Sequence, residues 1–123
     1  MEIYEEWFYK ANSDLESAKV LMNNNLLDTA IYHTQQSAEK ALKGFLVFHN
    51  QAIQRTHDLV ILLDLCKNFD NAFEELRLQA ITLNEFDTAF RYPNADLNPE
   101  RSEVQTAINY AEVIFEFVKQ KVQ

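Results

Sequence analysis

Gly44 is the only glycine in this 123-residue chain, and Pro93 and Pro99 are its only prolines. Tight turns draw heavily on both residue types, so a turn-rich β architecture lacks its usual material here. Apolar residues recur at helical spacing instead. Trp7, Ala11, Leu15, Ala18 and Met22 mark a first helix from residue 3 to about residue 23. Asn23-Asn24-Asn25 ends it, because asparagine tolerates left-handed backbone. Asp28 is the expected N-cap of a second helix running to about His49. The short link between the two predicts an antiparallel hairpin. Residues Asn50 to Arg55 are polar and read as a loop. Thr56 then caps a third helix carrying Leu59, Leu62, Leu63 and Cys66. After a break at Asn68-Phe69-Asp70-Asn71 comes a fourth helix, with Phe73, Leu76, Ala80 and Leu83 on its apolar side and Phe86 to Phe90 continuing it. Residues Arg91 to Pro99 form the clearest loop, since each proline biases the residue before it away from helix. The last helix begins near Pro99, with a stripe of Val104, Ala107, Ile108, Ala111, Ile114, Phe115, Val118 and Val122. These segments predict an all-α, up-and-down bundle of about five helices, dominated by two long antiparallel ones. No linker, repeat or low-complexity tract divides the chain, so residues 1–123 are expected to form one helical domain.

Hydrophobic residues make up 47% of the chain, enough to predict a folded core. The net charge of −8 argues against broad nucleic-acid binding, although a local basic site can coexist with an acidic whole. Cys66, the only cysteine, lies in an apolar run and reads as a buried thiol in a reducing compartment. The acidic start, Met1-Glu2-Ile3-Tyr4-Glu5-Glu6, predicts no signal peptide. No apolar run approaches the ~20 residues of a membrane span. A soluble, cytoplasmic protein is therefore expected. Nine Phe, five Tyr and one Trp are many for so small a domain, which points to a homodimer or another partner covering an apolar patch.

The second helix carries the most suggestive pattern. His33, Gln36, Ser37, Lys40 and Lys43 gather on one side, with Ala30, Ile31, Thr34, Ala38, Ala41, Leu42 and Phe45 on the other. The polar side offers an imidazole and two ammonium groups to an anion such as a phosphate. The same side reads equally as solvated surface, its lysines paired along the helix with Gln36 and Glu39. Gln35 falls near the apolar arc, which implies a buried hydrogen bond or a partner helix. His57 either marks a helix N-terminus or lines a pocket against the second helix. Arg91 and Tyr92 either clamp a nucleotide or partner loop, or simply close a helix end. The expected ligand-binding residues are thus His33, Lys40, Lys43, His57, Arg91 and Tyr92. Zinc spacing, a glycine-rich phosphate loop and a Gly-x-Ser-x-Gly elbow are all missing, so no metal, no cofactor and no catalytic residue is assigned.

The run His33-x-x-Gln36-x-x-Glu39-Lys40-x-Leu42-Lys43, followed by Thr56-His57-Asp58-Leu59 and Arg91-Tyr92-Pro93, resembles the HEPN domain family of small helical proteins. That resemblance covers nearly the whole chain, from Trp7 to the last helix. It implies a nucleotide-binding role, reflected in the family's name, and a place beside a minimal nucleotidyltransferase in a toxin–antitoxin-like pair. Some relatives are RNA-cleaving toxins, marked by an Arg followed one to two helical turns later by a His near the start of the last helix. This sequence departs from that pattern, because no histidine follows His57. The expected function is a non-catalytic binding module. The alternatives are an RNase toxin with a degenerate site and a structural homodimer.

Overall fold

A computed structural model of the chain describes residues 1–93 and 98–123. Five α-helices follow one another as α1 (Ile3–Asn23), α2 (Leu27–Phe48), α3 (Leu59–Lys67), α4 (Arg77–Phe90) and α5 (Arg101–Lys121), with a 3-10 segment at Asn71–Leu76. Among the described residues there is no strand. The all-α bundle anticipated from composition and spacing is the observed fold.

Local chemistry sets the helix ends. The Glu2 backbone N–H donates to the Glu5 carboxylate at 3.0 Å, and Glu100 N–H donates to Glu103 at 2.8 Å, so α1 and α5 open on the same device. Asn25, at φ 62, reverses the chain after α1, and Asn50, at φ 60, does so after α2. Two expected caps move. Helix α2 begins at Leu27 with no capping side chain, which places Asp28 inside the first turn. Helix α3 is capped by Asp58, whose carboxylate accepts from Val60 N–H at 2.9 Å and Ile61 N–H at 3.3 Å. Thr56 acts one step earlier, its hydroxyl accepting from Asp58 N–H at 3.1 Å. The expected fourth helix is also split. Asp70 accepts from Ala72 N–H at 3.0 Å and starts the 3-10 turn that holds Phe73 and Leu76, and α4 follows it.

The two long N-terminal helices form the antiparallel hairpin. Gly44 of α2 lies against Phe8 and Trp7 near the start of α1, and the Ser37 hydroxyl donates to the Ala11 carbonyl at 2.8 Å midway along. Helix α5 closes the bundle against both, with Arg101 donating to the Met22 carbonyl at 3.0 Å and the Asn25 amide oxygen at 2.8 Å. Helices α3 and α4 pack across α2 from the other side. At the centre, Phe45 and Phe73 place their ring centroids 4.4 Å apart, with Phe117 5.0 Å from Phe73. Cys66 is fully buried there, and burial pushes its thiol up to about 12.

Packing on α2 changes the character of its polar side. Thirteen of its 22 residues are buried, because helices pack on most of its circumference. The polar side is therefore only partly solvated, with His33, Gln36 and Lys40 half-buried. Ser37 is fully buried, and Lys43 and Glu39 are only 5% and 4% exposed.

Candidate functional site

The polar residues of α2 divide between two clusters, each built around a carboxylate. On the α1 side, Asp14 accepts from His33 Nδ1 at 2.8 Å and from the Lys40 ammonium group. On the α3 side, Glu39 accepts from Lys43 Nζ at 2.9 Å, while its other oxygen lies 2.9 Å from His57 Nδ1. An ionised carboxylate only accepts, so each imidazole presents Nδ1–H to its partner. The carboxylates also fix the lysines. Each of the two ammonium groups expected to bind an anion is already neutralised, and Lys43 is buried as well.

The lead-in to α3 is held over the second cluster. Gln35 Nε2 donates to the His57 carbonyl at 2.7 Å, which makes it the buried hydrogen-bonding amide that its place in the apolar arc suggested. Asn84 of α4 accepts from Leu59 N–H at 3.1 Å and donates to Asp58 at 2.9 Å. Those bonds bring the middle of α4 beside the start of α3.

Arg91 stands at the C-terminal end of α4. Its Nη2 donates to Asp87 at 2.7 Å, one turn back on the same helix. Burial raises the Asp87 pKa, Arg91 opposes the shift, and the charges of Glu39 and His57 also reach the group. The Arg91 guanidinium is held more firmly protonated, first by the Asp87 charge. Together with Asp28, Thr29, Ile31, Tyr32 and Phe90, these two residues line a cavity of about 180 Å³ between the start of α2 and the end of α4. Tyr92 stands out in solvent, 72% exposed.

The six residues singled out in the sequence thus do not form one site. His57 and Lys43 meet at Glu39 on the α3 side of α2, and Arg91 pairs with Asp87 at the end of α4. His33 and Lys40 lie on the α1 side, linked through Asp14. Asp14, Asp87, Tyr32 and Phe90 were not singled out. Asp87 carried a readable signal, an acid four residues before Arg91 on one helix. Asp14 carried none, because its partners are 19 and 26 residues away. Among the described residues, no group of three or more His, Cys, Asp or Glu side chains could hold a metal ion. No described helix is long and apolar enough to cross a membrane.

Comparison with known proteins adds three findings. The HEPN domain profile matches residues 4–121. A protein of Methanocaldococcus jannaschii named "Putative toxin MJ1304" is 31% identical, over 96% of this chain and 90% of that one. Two solved structures share the fold. TT1696 from Thermus thermophilus has a TM-score of 0.86 and 27% identity over 98% of this chain and 99% of that one. ST0689, an archaeal HEPN homologue, has a TM-score of 0.79 and 28% identity over the full length of both.

Proposed function

Because the chain belongs to the HEPN domain family, we propose that it is a non-catalytic binding module that takes a nucleotide between α2 and the end of α4. In this reading it works as the partner subunit of a minimal nucleotidyltransferase in a toxin–antitoxin-like pair. The observation that carries the proposal is the Arg91 cavity. A guanidinium with donors to spare sits beside a small recess bordered by Tyr32 and Phe90, which suits a phosphate and an aromatic base. The lysines of α2 are spent on carboxylates, so the charge for the ligand comes from Arg91. The similarity to a protein named as a toxin supports the pairing. A surface for a partner or a second copy is available where α3 and α4 run antiparallel. Ile61, Leu78 and Ile81 are 50%, 62% and 39% exposed there, in the stretch between the Arg77–Asp64 and Asn84–Leu59 contacts.

Titration calorimetry with purine nucleotides, ATP and GMP among them, tests the ligand. Binding is expected to be weak, to fall with added salt and to vanish in Arg91→Ala, while Lys119→Ala on α5 leaves it intact. Equal heats from parent and Arg91→Ala with every nucleotide would refute the site.

A second reading, an RNA-cleaving toxin, is favoured by the name of the Methanocaldococcus relative and by the Glu39–His57 pair. A buried carboxylate orienting an exposed imidazole is a general acid–base arrangement. The proposal expects no cleavage when the purified chain meets single-stranded or structured RNA in chelator. Turnover lost in His57→Ala would establish the toxin reading instead.

A further inference from the structure

The cavity beside Arg91 has a chemical bias that follows from what is buried in it. It holds about 180 Å³, below the roughly 300–1,000 Å³ that encloses a drug-sized ligand. A single planar ring system fits that space, with sugar and phosphate left outside near Arg91. Two aromatic residues border the recess, Tyr32 at 44% exposure and the half-buried Phe90, and offer π surface to a base. Polar selection inside rests on Asp87. It is 9% exposed and accepts from Arg91 through Oδ2 alone, and its Oδ1 has no hydrogen-bond donor among the described residues. A carboxylate has about four lone-pair sites, so most of its accepting capacity is unused. A ligand that enters the recess and supplies N–H groups can use that capacity.

We infer that this cavity selects a guanine base, with the Asp87 carboxylate accepting from the ring N1–H and the exocyclic amino group while Arg91 faces the phosphate. Guanine presents those two donors side by side on one edge. Adenine presents an amino group beside an acceptor nitrogen, which would confront the carboxylate lone pair to lone pair. Hypoxanthine keeps the ring N–H and lacks the amino group, so it should fall between the two. Asp28, on the cavity wall, adds negative charge and disfavours a long phosphate chain. The ligand class is therefore a guanosine monophosphate rather than a triphosphate. This inference rests on the nucleotide-binding reading above and narrows it to one base.

Calorimetry on the full chain with GMP, IMP, AMP and inorganic phosphate tests it. GMP should bind about tenfold or more tightly than AMP, because a site built to hydrogen-bond a group rejects an analogue lacking it. IMP should lie between them, and inorganic phosphate alone should be weakest. Asp87→Asn should bring GMP and AMP to similar affinity. Tyr32→Ala should weaken both and keep their ratio. The IMP comparison uses only the parent chain, so it decides the matter even if Asp87→Asn fails to fold. Equal affinity for GMP and AMP in the parent would overturn the guanine assignment and leave nucleotide binding standing. A guanine preference that persists in a folded Asp87→Asn chain would also overturn it. No heat with any nucleotide would overturn both readings together.

Discussion

Lys43 shows how far a side chain can be from the role its sequence position suggests. It lies on the polar arc of an amphipathic helix, yet its side chain and that of Glu39 are each 6% exposed and form a buried ion pair, with His57 on the second Glu39 oxygen. Removing one partner of such a pair strands a buried charge, at a cost of about 3–5 kcal/mol. Lys43→Met should therefore lower the urea midpoint sharply, while the double change Glu39→Leu and Lys43→Met should recover much of the loss. If Lys43→Met unfolds at the parent midpoint, the pair is not buried. Asp87 makes a second prediction, through pH. Its folded pKa is raised, by burial first, with Arg91 opposing. Between the unfolded aspartate value of about 3.9 and the higher folded value, the native chain binds the extra proton, so stability falls as pH rises through that window. Asp87→Asn removes the titration. The parent's stability relative to this variant should thus decrease from pH ~3.5 to pH ~7 in thermal unfolding. A difference that stays flat or grows with pH would contradict the burial of this carboxylate.

Elements meet where their side chains allow, and α1 against α2 is the tightest such meeting. A Cβ on Gly44 would stand 2.7 Å from Phe8 Cε1 and 3.1 Å from Trp7 Cβ. Glycine in a helix interior normally costs about 1 kcal/mol relative to alanine. Gly44→Ala should reverse that sign and destabilise the chain by about 1–3 kcal/mol, because overpacking forces α1 outward. Denaturant unfolding measures it, and a stabilised variant would mean the helices are not in close contact. The same junction explains what sequence could convey. Helix periodicity is local, so α1, α2 and α5 were legible to within a few residues, and Asn25 was legible as a stop. Burial around α2 is not local. Its polar side reads as exposed until α1 and the α3 lead-in are laid over it, and only then do Ser37, Glu39 and Lys43 become interior. The break before α4 escaped for a similar reason, since Phe73 keeps helical spacing with Leu76 while Asp70 tightens the turn beneath it. The caps missed by one or two residues because Asp28, Thr56 and Asp58 are all good capping types, and the chain path decides among them.

At the scale of the whole molecule, an acidic chain places the cation of its candidate site at one corner. The net charge is −8, and the two lysines of the α2 face are held by Asp14 and Glu39. Arg91, by contrast, stands where α4 ends, beside a recess that Tyr32, Phe90 and Asp87 line. The fold thus separates residues that the sequence groups together, tying His33 and Lys40 to Asp14 of α1 and Arg91 to Asp87 of α4. In the proposed function a nucleotide is taken at that corner and not along the α2 lysines. Amide chemical-shift mapping by NMR during a titration with GMP tests this most directly. Saturable shifts are expected at Thr29, Tyr32, Asp87, Phe90 and Arg91, with the Ser37–Lys40 stretch unmoved. Shifts centred on His33, Ser37 and Lys40, or none at a saturating excess of nucleotide, would contradict it.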